Sequence, residues 1–376
     1  MIYLDNAATS FPKPHKVVEA VTSCITRYCG NPGRGAHPLS LASAEKIYAC
    51  RTALASFLGL STPERIIFTH NTTYALNFAI KGLFHAGDHV LISELEHNAV
   101  RRPLCRLHRT CGVDFETFPV VGRSPAQILT EISARLRPQT AGVVCTHASN
   151  VCSISLPLVE IGTFCHSRKL LFVVDAAQSA GHLEINMEKM RINVLTAPAH
   201  KALYGIQGAG ILALSDGIDP EPLFEGGSGS DSLAEEMPAL PPERFEPGTL
   251  ATPAIAGLLA GIEFVQSRGI ANIAAHERML FAAACERLES IPAIEIYQKS
   301  QGGAVLLFNH TQYAPQEIAH RLGRESICVR AGYHCAPLAH NALGTASRGA
   351  VRLGFGAFNT IPELDILWRV LRESTI

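Results

Sequence analysis

Residues 170–182 read LLFVVDAAQSAGH: five hydrophobic residues end on Asp175, and small or polar residues follow. An apolar run this short, without polar alternation and rich in β-branched side chains, fits a strand buried on both faces. The pattern recurs in RIIFT (65–69), DHVLIS (88–93), DFETFP (114–119), AGVVCTH (141–147), INVLTAP (192–198) and AGILALS (209–215). Helix-period segments separate several of them, among them TYALNFAIKGLF (73–84), the stretch from His97 to about Cys111, and PAQILTEISARLR (125–137). Strands alternating with helices predict an α/β chain built on a mostly parallel sheet, its helices placed on both faces by right-handed crossovers. In such sheets ligands bind beyond the carboxyl ends of the strands, so the residues just after each run carry the functional question.

The rest of the chain bounds the answer. Its 376 residues suit two domains at roughly 150 residues each. Hydrophobic residues make up 47% and charged ones 17%, with a formal net charge of −1, which excludes a disordered chain and gives no basic footprint for nucleic acid. MIYLDNAATSFPKP (1–14) lacks the basic start and apolar run of a signal peptide, and no apolar stretch is long enough to span a bilayer. A soluble, cytoplasmic protein is expected. Residues 216–252, rich in Gly, Pro, Ser and Glu, read as a long loop. Two long helices (253–269 and 271–291) follow, then AVLLFN (304–309), ICVRAG (327–332) and AVRLGFG (350–356), which read as a smaller α+β unit. The opening segment is expected to pack against that unit.

Chemistry concentrates after the strands. Asp175 ends one, and twenty-six residues later LTAPAHKALYGIQGAG (195–210) places His200 and Lys201 after another. A lysine and a carboxylate facing one cleft are what pyridoxal 5′-phosphate (PLP) needs: an amine for a covalent imine and an acid to keep the pyridine nitrogen protonated. The plainer reading is a capping Asp and a surface Lys. RIIFTHNTTYALNF (65–78) supplies strand, turn and helix, where Thr72 and Thr73 serve either as N-caps or at a phosphate. His97, Asn150 and Gln178 also follow strands, where they either stack on and hydrogen-bond a ring or simply pack. The glycines of YGIQGAG (204–210) precede a strand and spell G-x-x-G-x-G, which is not the dinucleotide fingerprint.

RAGYHCAPLAH (330–340) raises the second question. Cys335 follows His334 in a glycine-bearing loop, a setting that favours a fixed, partly exposed thiolate. Eleven cysteines without a secretory signal argue against a disulfide framework. Cys328, His334, Cys335 and His340 are spaced C-x5-H-C-x4-H, which matches no CxxC pair and argues against zinc. His334 either tunes the thiol or packs the loop.

YLDNAATS (3–10), GRGAHPLS (33–40), ISELEHNAV (92–100), THASNV (146–151), VVDAAQSAGH (173–182), HKALYGIQGAG (200–210), FEPGT (245–249), RAGYHCA (330–336) and VRLGFGAFNT (351–360) occur in the order and spacing of a known family. Over residues 3–360 the chain resembles the cysteine desulfurases, PLP enzymes of the class V aminotransferase group. The cysteine loop looks like that of the branch that includes selenocysteine lyases. The resemblance implies PLP-dependent fold type I, like aspartate aminotransferase. A large domain (16–258) would hold a mostly parallel seven-stranded sheet, and residues 1–15 and 259–376 would form a smaller α+β domain. Lys201 would be the Schiff-base lysine, Asp175 the partner of the pyridine nitrogen, Gln178 that of the ring hydroxyl, and His97 the stacking group. Asn150 would line the ring edge, and Thr72, Thr73 and His200 would hold the phosphate. Thr249 would reach the phosphate from the other subunit of a homodimer. Arg352 would clamp the substrate carboxylate, and Asn6, Ala7, Arg34 and His37 would border the substrate pocket.

Two positions depart from the family: Pro198, where a Ser or Thr usually donates to the phosphate, and Asn98, where the branch often carries a second histidine. The implied reaction takes sulfur from L-cysteine, leaving L-alanine and a persulfide on Cys335 for an acceptor protein or small thiol. The alternative is a selenocysteine lyase, or another PLP-dependent C–S lyase or aminotransferase, in which Cys335 is not essential. A non-catalytic relative would have little reason to keep both Lys201 and Asp175.

Overall fold

In the computed structural model, which describes residues 1–376 apart from 34, 231, 300–301 and 374–376, a short strand, β1 (Ile2–Tyr3), opens the chain. Seven further strands follow: β2 (Ile66–Thr69), β3 (His89–Ser93), β4 (Asp114–Phe118), β5 (Thr140–Thr146), β6 (Leu171–Asp175), β7 (Val194–Pro198) and β8 (Gly210–Leu214). They form one sheet in the order β2-β8-β7-β6-β5-β3-β4. All neighbours in it are parallel except β8, which runs antiparallel to both β7 and β2. The seven expected strands are therefore present, and the sheet is mostly parallel.

Side chains alternate across the sheet with period two. Phe172 and Val174 join one hydrophobic cluster, with Leu54, Ile132 and Ile161 from helices Pro38–Leu58, Pro125–Ala134 and Leu158–Ser167. Val173 enters the opposite cluster, with Leu76 and Leu104 from helices Thr72–Leu83 and Asn98–Cys111. Both faces are covered, which is why LLFVVD carries no polar alternation.

Past the long loop lie β9 (Ile294–Tyr297), β10 (Val305–His310), β11 (Ile327–Cys328), β12 (Arg330–Gly332) and β13 (Ala350–Gly354). Four of them make an antiparallel sheet, β12-β13-β10-β9, over a third cluster that includes Leu306, Phe308 and Leu353. The segment ICVRAG, expected as one strand, divides at Val329: β11 pairs in parallel with β1, and β12 pairs with β13. Residue 258, where a domain division was expected, lies inside helix Thr252–Arg268, whose Leu258 and Ile262 pack under the large sheet. Among the described residues no single helix is long and apolar enough to cross a membrane; helices Thr252–Arg268 and Ile270–Glu289 meet at 78°.

The loop over 216–252 is tied down at its end. Glu243–Phe245 forms one 3-10 turn. Next to it Glu246 accepts a hydrogen bond from Phe68 N–H at 2.6 Å and pairs with Arg51 of helix Pro38–Leu58. Both side chains of the pair are about 95% buried, at 5% and 6% exposure, and Arg51 also donates to the Ile66 carbonyl. Removing one member of such a pair strands the other charge in the interior. Arg51→Met is expected to cost about 3–5 kcal/mol in urea unfolding, and Arg51→Met/Glu246→Gln is expected to recover part of it. Equal stability of Arg51→Met and wild type would contradict the role of this pair.

Candidate active site

The carboxyl ends of β2, β3, β5, β6 and β7 converge on a cavity of ≈ 440 Å³, lined by Thr72, Thr73, His97, Asn150, Asp175, Gln178, His200 and Lys201 among others. Eight of the residues singled out from sequence thus share one space. The turns that carry them are held close by small residues. Gly181, at φ +103°, lies where a Cβ would come within 2.2 Å of the Ala202 carbonyl oxygen, so the turn after Asp175 packs directly on the turn of Lys201. Gly210 likewise lets β8 start against the backbone of Asn71.

One end of the cavity is an anion cradle. Asn71, not Thr72 or Thr73, is the N-cap of helix Thr72–Leu83, its side chain accepting from Tyr74 N–H at 3.1 Å. The Thr72 hydroxyl oxygen and His200 Nδ1 are buried without a hydrogen-bond partner. Buried polar atoms are normally paired, so two orphans beside a helix start fit the oxygens of a phosphate. Pro198 ends β7 opposite Gly210 and supplies neither hydroxyl nor N–H there.

The same cavity holds Asp175 and Lys201. Asp175, 3% exposed, accepts from Ala177 N–H at 2.9 Å. Burial raises its pKa, opposed by that hydrogen bond and by the Lys201 charge. Burial lowers the Lys201 amine to about 8, with Asp175 pulling the other way. Burial, then the Lys201 charge, lowers His97 to about 4, and burial lowers His200 to about 4. His97 caps helix Asn98–Cys111, its Nδ1 accepting from Ala99 N–H at 3.0 Å. A neutral, fixed imidazole is suited to stacking. Gln178 donates to the Ala7 carbonyl at 2.8 Å, and Asn150 to the His334 carbonyl at 2.7 Å. Taken together, the orphaned phosphate donors, the buried carboxylate and the low-pKa lysine fit PLP.

Other expected residues are placed differently. Arg352 is 1% exposed and donates to Asp5 Oδ1 at 2.6 Å and to the Asn150 carbonyl at 3.0 Å, with its Nε buried and unpartnered. Asn6 braces the opening segment, donating to the Gly354 carbonyl and Asn359 and accepting from Phe11 N–H. His37 N-caps helix Pro38–Leu58, accepting from Ser40 N–H at 3.3 Å, and is not among the cavity's lining residues. Thr249 is exposed, accepts from Asn31 at 3.4 Å and lines a separate cavity of ≈ 290 Å³ with Phe68, Tyr74 and Phe245. Arg34 lies outside the described residues.

Sequence reading missed Glu96. It is fully buried, accepts from Ser93 Oγ and from Thr146 N–H at 2.8 Å, and so ties the end of β3 to that of β5. Burial raises it to about 8. A charged residue inside SELEHNAV, next to the expected stacking histidine, was the available signal.

Cys335 is an exposed, free thiol in the loop between β12 and helix Pro337–Ala342. His334 and Cys335 both have positive φ, 49° and 57°, a left-handed turn that L-residues adopt only when their surroundings hold them. The holding groups are visible. The Cys335 carbonyl accepts from Asn98 N–H at 2.7 Å. His334, 3% exposed, lies 3.1 Å from His340 Nε2 through its Nδ1, and His340 Nδ1 lies 2.7 Å from the Thr345 hydroxyl. With His334 Nε2 donating to the Arg330 carbonyl at 3.4 Å, a single proton direction satisfies the chain: Thr345 to His340 to His334 to Arg330. These bonds fix the His334 ring within the loop. The zinc set does not assemble, and no group of three or more potential ligands occurs among the described residues.

Residues 2–367 match the family model described as Aminotransferase class-V, and the chain belongs to that family, whose members use PLP. Its nearer kin are cysteine desulfurases. It is 34% identical to a Methanothermobacter thermautotrophicus protein named "Probable cysteine desulfurase", covering 99% of this chain and 94% of that one. It is 30% identical to the "Cysteine desulfurase" of Cronobacter sakazakii, covering 98% and 91%. The solved apo structure of the cysteine desulfurase of Thermococcus onnurineus NA1 superposes with a TM-score of 0.90 at 31% identity, covering 99% and 94%. The α/β architecture expected from sequence is that of this family.

Neutral, buried imidazoles make the fold sensitive to acid. Burial lowers His340 to about 4 from an ordinary 6.5, and holds His334 lower still. As pH falls below about 6.5 the unfolded chain takes up the proton first, so stability declines between about 6.5 and about 4. Replacing His340 by Gln, which does not titrate, is expected to flatten the pH dependence of the unfolding free energy, measured by urea titration, by up to about 1.4 kcal/mol per pH unit. Identical slopes for variant and wild type would contradict the neutral chain.

Proposed function

We propose that this chain is a PLP-dependent cysteine desulfurase that takes sulfur from L-cysteine, releases L-alanine and carries the sulfur as a persulfide on Cys335. The observation that supports it most is the meeting of the Lys201–Asp175 pair and the Cys335 loop at His97. That residue lines both the cofactor-sized cavity and a second cavity of ≈ 360 Å³ that reaches Cys335.

Thr72, Thr73 and His200 would hold the phosphate, Asp175 the ring nitrogen, Gln178 the ring hydroxyl, His97 the ring face and Asn150 the ring edge. Bound there, PLP supplies an electron sink conjugated to the substrate's amino group, which acidifies Cα. Lys201, with its amine near 8, is matched to removing that proton near neutral pH and returning it. The Cys335 thiolate attacks the substrate sulfur. The bond between that sulfur and Cβ breaks, a new S–S bond forms on Cys335, and Cβ gains a proton to complete alanine. No external oxidant or reductant enters this half of the reaction.

Arg352, flanked by Asp5 and the Asn150 carbonyl, would meet the substrate carboxylate through its unpartnered edge, while Asn6 and Ala7 shape the wall and Arg34 and His37 border it. Thr249 would serve the phosphate of a second subunit, so a homodimer is part of the proposal. The brief loop between β12 and helix Pro337–Ala342 supports the short-loop branch. The free state of all eleven cysteines supports a reducing compartment, the cytoplasm. The division into 16–258 against 1–15 with 259–376 is kept, with helix Thr252–Arg268 shared across it.

Turnover of L-cysteine with excess thiol reductant tests the reading. Wild type is expected to yield sulfide and alanine, and Cys335→Ser to yield neither. A Cys335→Ser enzyme as active as wild type would move selenocysteine or another C–S substrate to the front. Lys201→Ala is expected to lose about 10²–10⁴-fold in rate and the yellow absorption of the loaded wild type. Equal spectra would remove Lys201 from the site.

A further inference from the structure

Two helices present matched stripes beside the thiol. Thr73, Asn77 and Lys81 recur every four residues on helix Thr72–Leu83, and Asn98, Arg102 and Arg106 do so on helix Asn98–Cys111. The two stripes face each other across the ≈ 360 Å³ cavity, and Cys335 lines the same space. Its walls carry three cations, Lys81, Arg102 and Arg106, and no carboxylate. Among the described residues none of the three is ion-paired. Six other arginines, Arg65, Arg123, Arg135, Arg137, Arg287 and Arg321, do face carboxylates. In a chain of net charge −1, three cations and no carboxylate around a nucleophile make this space locally positive and suited to an anion.

We propose that this channel binds the sulfur acceptor, and that the acceptor is a low-molecular-mass thiol carrying carboxylates. The inference rests on the persulfide reading above. The volume suits a molecule of small-peptide size, and Lys81 and Arg106, one on each wall, suit a thiol whose carboxylates are spread along it. With the anionic end there, the acceptor thiolate attacks the outer sulfur of the Cys335 persulfide. An S–S bond forms to the acceptor, the bond from that sulfur to Cys335 Sγ breaks, and Cys335 leaves as the thiolate that begins the next cycle. The persulfide's proton stays on the transferred side, so atoms and electrons balance without a co-reactant.

The test uses the PLP-loaded full chain with saturating L-cysteine and two thiols, mercaptosuccinate (dianionic) and 2-mercaptoethanol (neutral). Lys81→Gln/Arg106→Gln and Lys81→Glu/Arg106→Glu are compared with wild type, each checked for an unchanged thermal midpoint. The KM for mercaptosuccinate is expected to rise in two steps, to about tenfold in the Glu variant. It is also expected to rise with salt in wild type, while the KM for 2-mercaptoethanol stays put. Should the Glu variant misfold, the Gln variant alone reads the direction. Unchanged KM values overturn the proposal. So does a loss seen only with an acidic cysteine-bearing peptide, which would assign the channel to a polypeptide acceptor. The alanine burst without any thiol separates the two levels. One alanine per chain with indifferent KM values sinks the channel alone, whereas an absent burst removes the persulfide reading and the channel's role with it.

Discussion

The parallel register of β5, β6 and β7 is the constraint on which the rest depends. Thr146 lies opposite Asp175 and Asp175 opposite Thr196, so β5 and β6 end at one level and β7 runs two residues further, to Pro198. Each end delivers a polar turn to the same edge. Side chains that follow the strands, Asn150, Gln178, His200 and Lys201, then have little choice of neighbourhood. Glu96 fastens this edge from inside by joining β3 to β5. The same burial that makes the strands wholly apolar lowers the Lys201 amine and raises the Asp175 carboxyl. The fold thereby tunes the two groups that PLP chemistry uses.

The cysteine is presented by different means. Cys335 sits in a left-handed turn, braced by Asn98 N–H and Asn150 from the turns after β3 and β5 and by the chain of hydrogen bonds from Thr345 through His340 to His334. The thiol is exposed and the imidazoles beneath it are buried. His334, adjacent in sequence, acts on the loop's shape. The charges near the thiol come from elsewhere, from Lys81, Arg102 and Arg106 on two helices remote in sequence from the loop.

This contrast marks what was legible in the sequence. LLFVVD and its counterparts could be read because doubly buried strands leave an unbroken apolar record, and the positions just past them could be read because the sheet sends them all to one edge. His97, Asp175 and Lys201 fall in that class. ICVRAG was harder, because two strands of two or three residues separated by Val329 look like one when only hydrophobicity is read. The cap at Asn71 was hidden by the two threonines after it, which are equally good caps. The fixation of Arg352 by Asp5 was invisible because its partner lies 347 residues away. Glu96 and the His334–His340 contact depend on tertiary burial, which spacing does not encode.

The central claim is that the Lys201–Asp175 site and Cys335 act on the same sulfur atom. Mass spectrometry of the Cys335-containing peptide, taken after one turnover of ³⁴S-labelled L-cysteine with no thiol acceptor present, tests it most directly. The account predicts one added heavy sulfur on Cys335 and on none of the other ten cysteines. Labelled sulfide in solution with an unmodified Cys335 would contradict it.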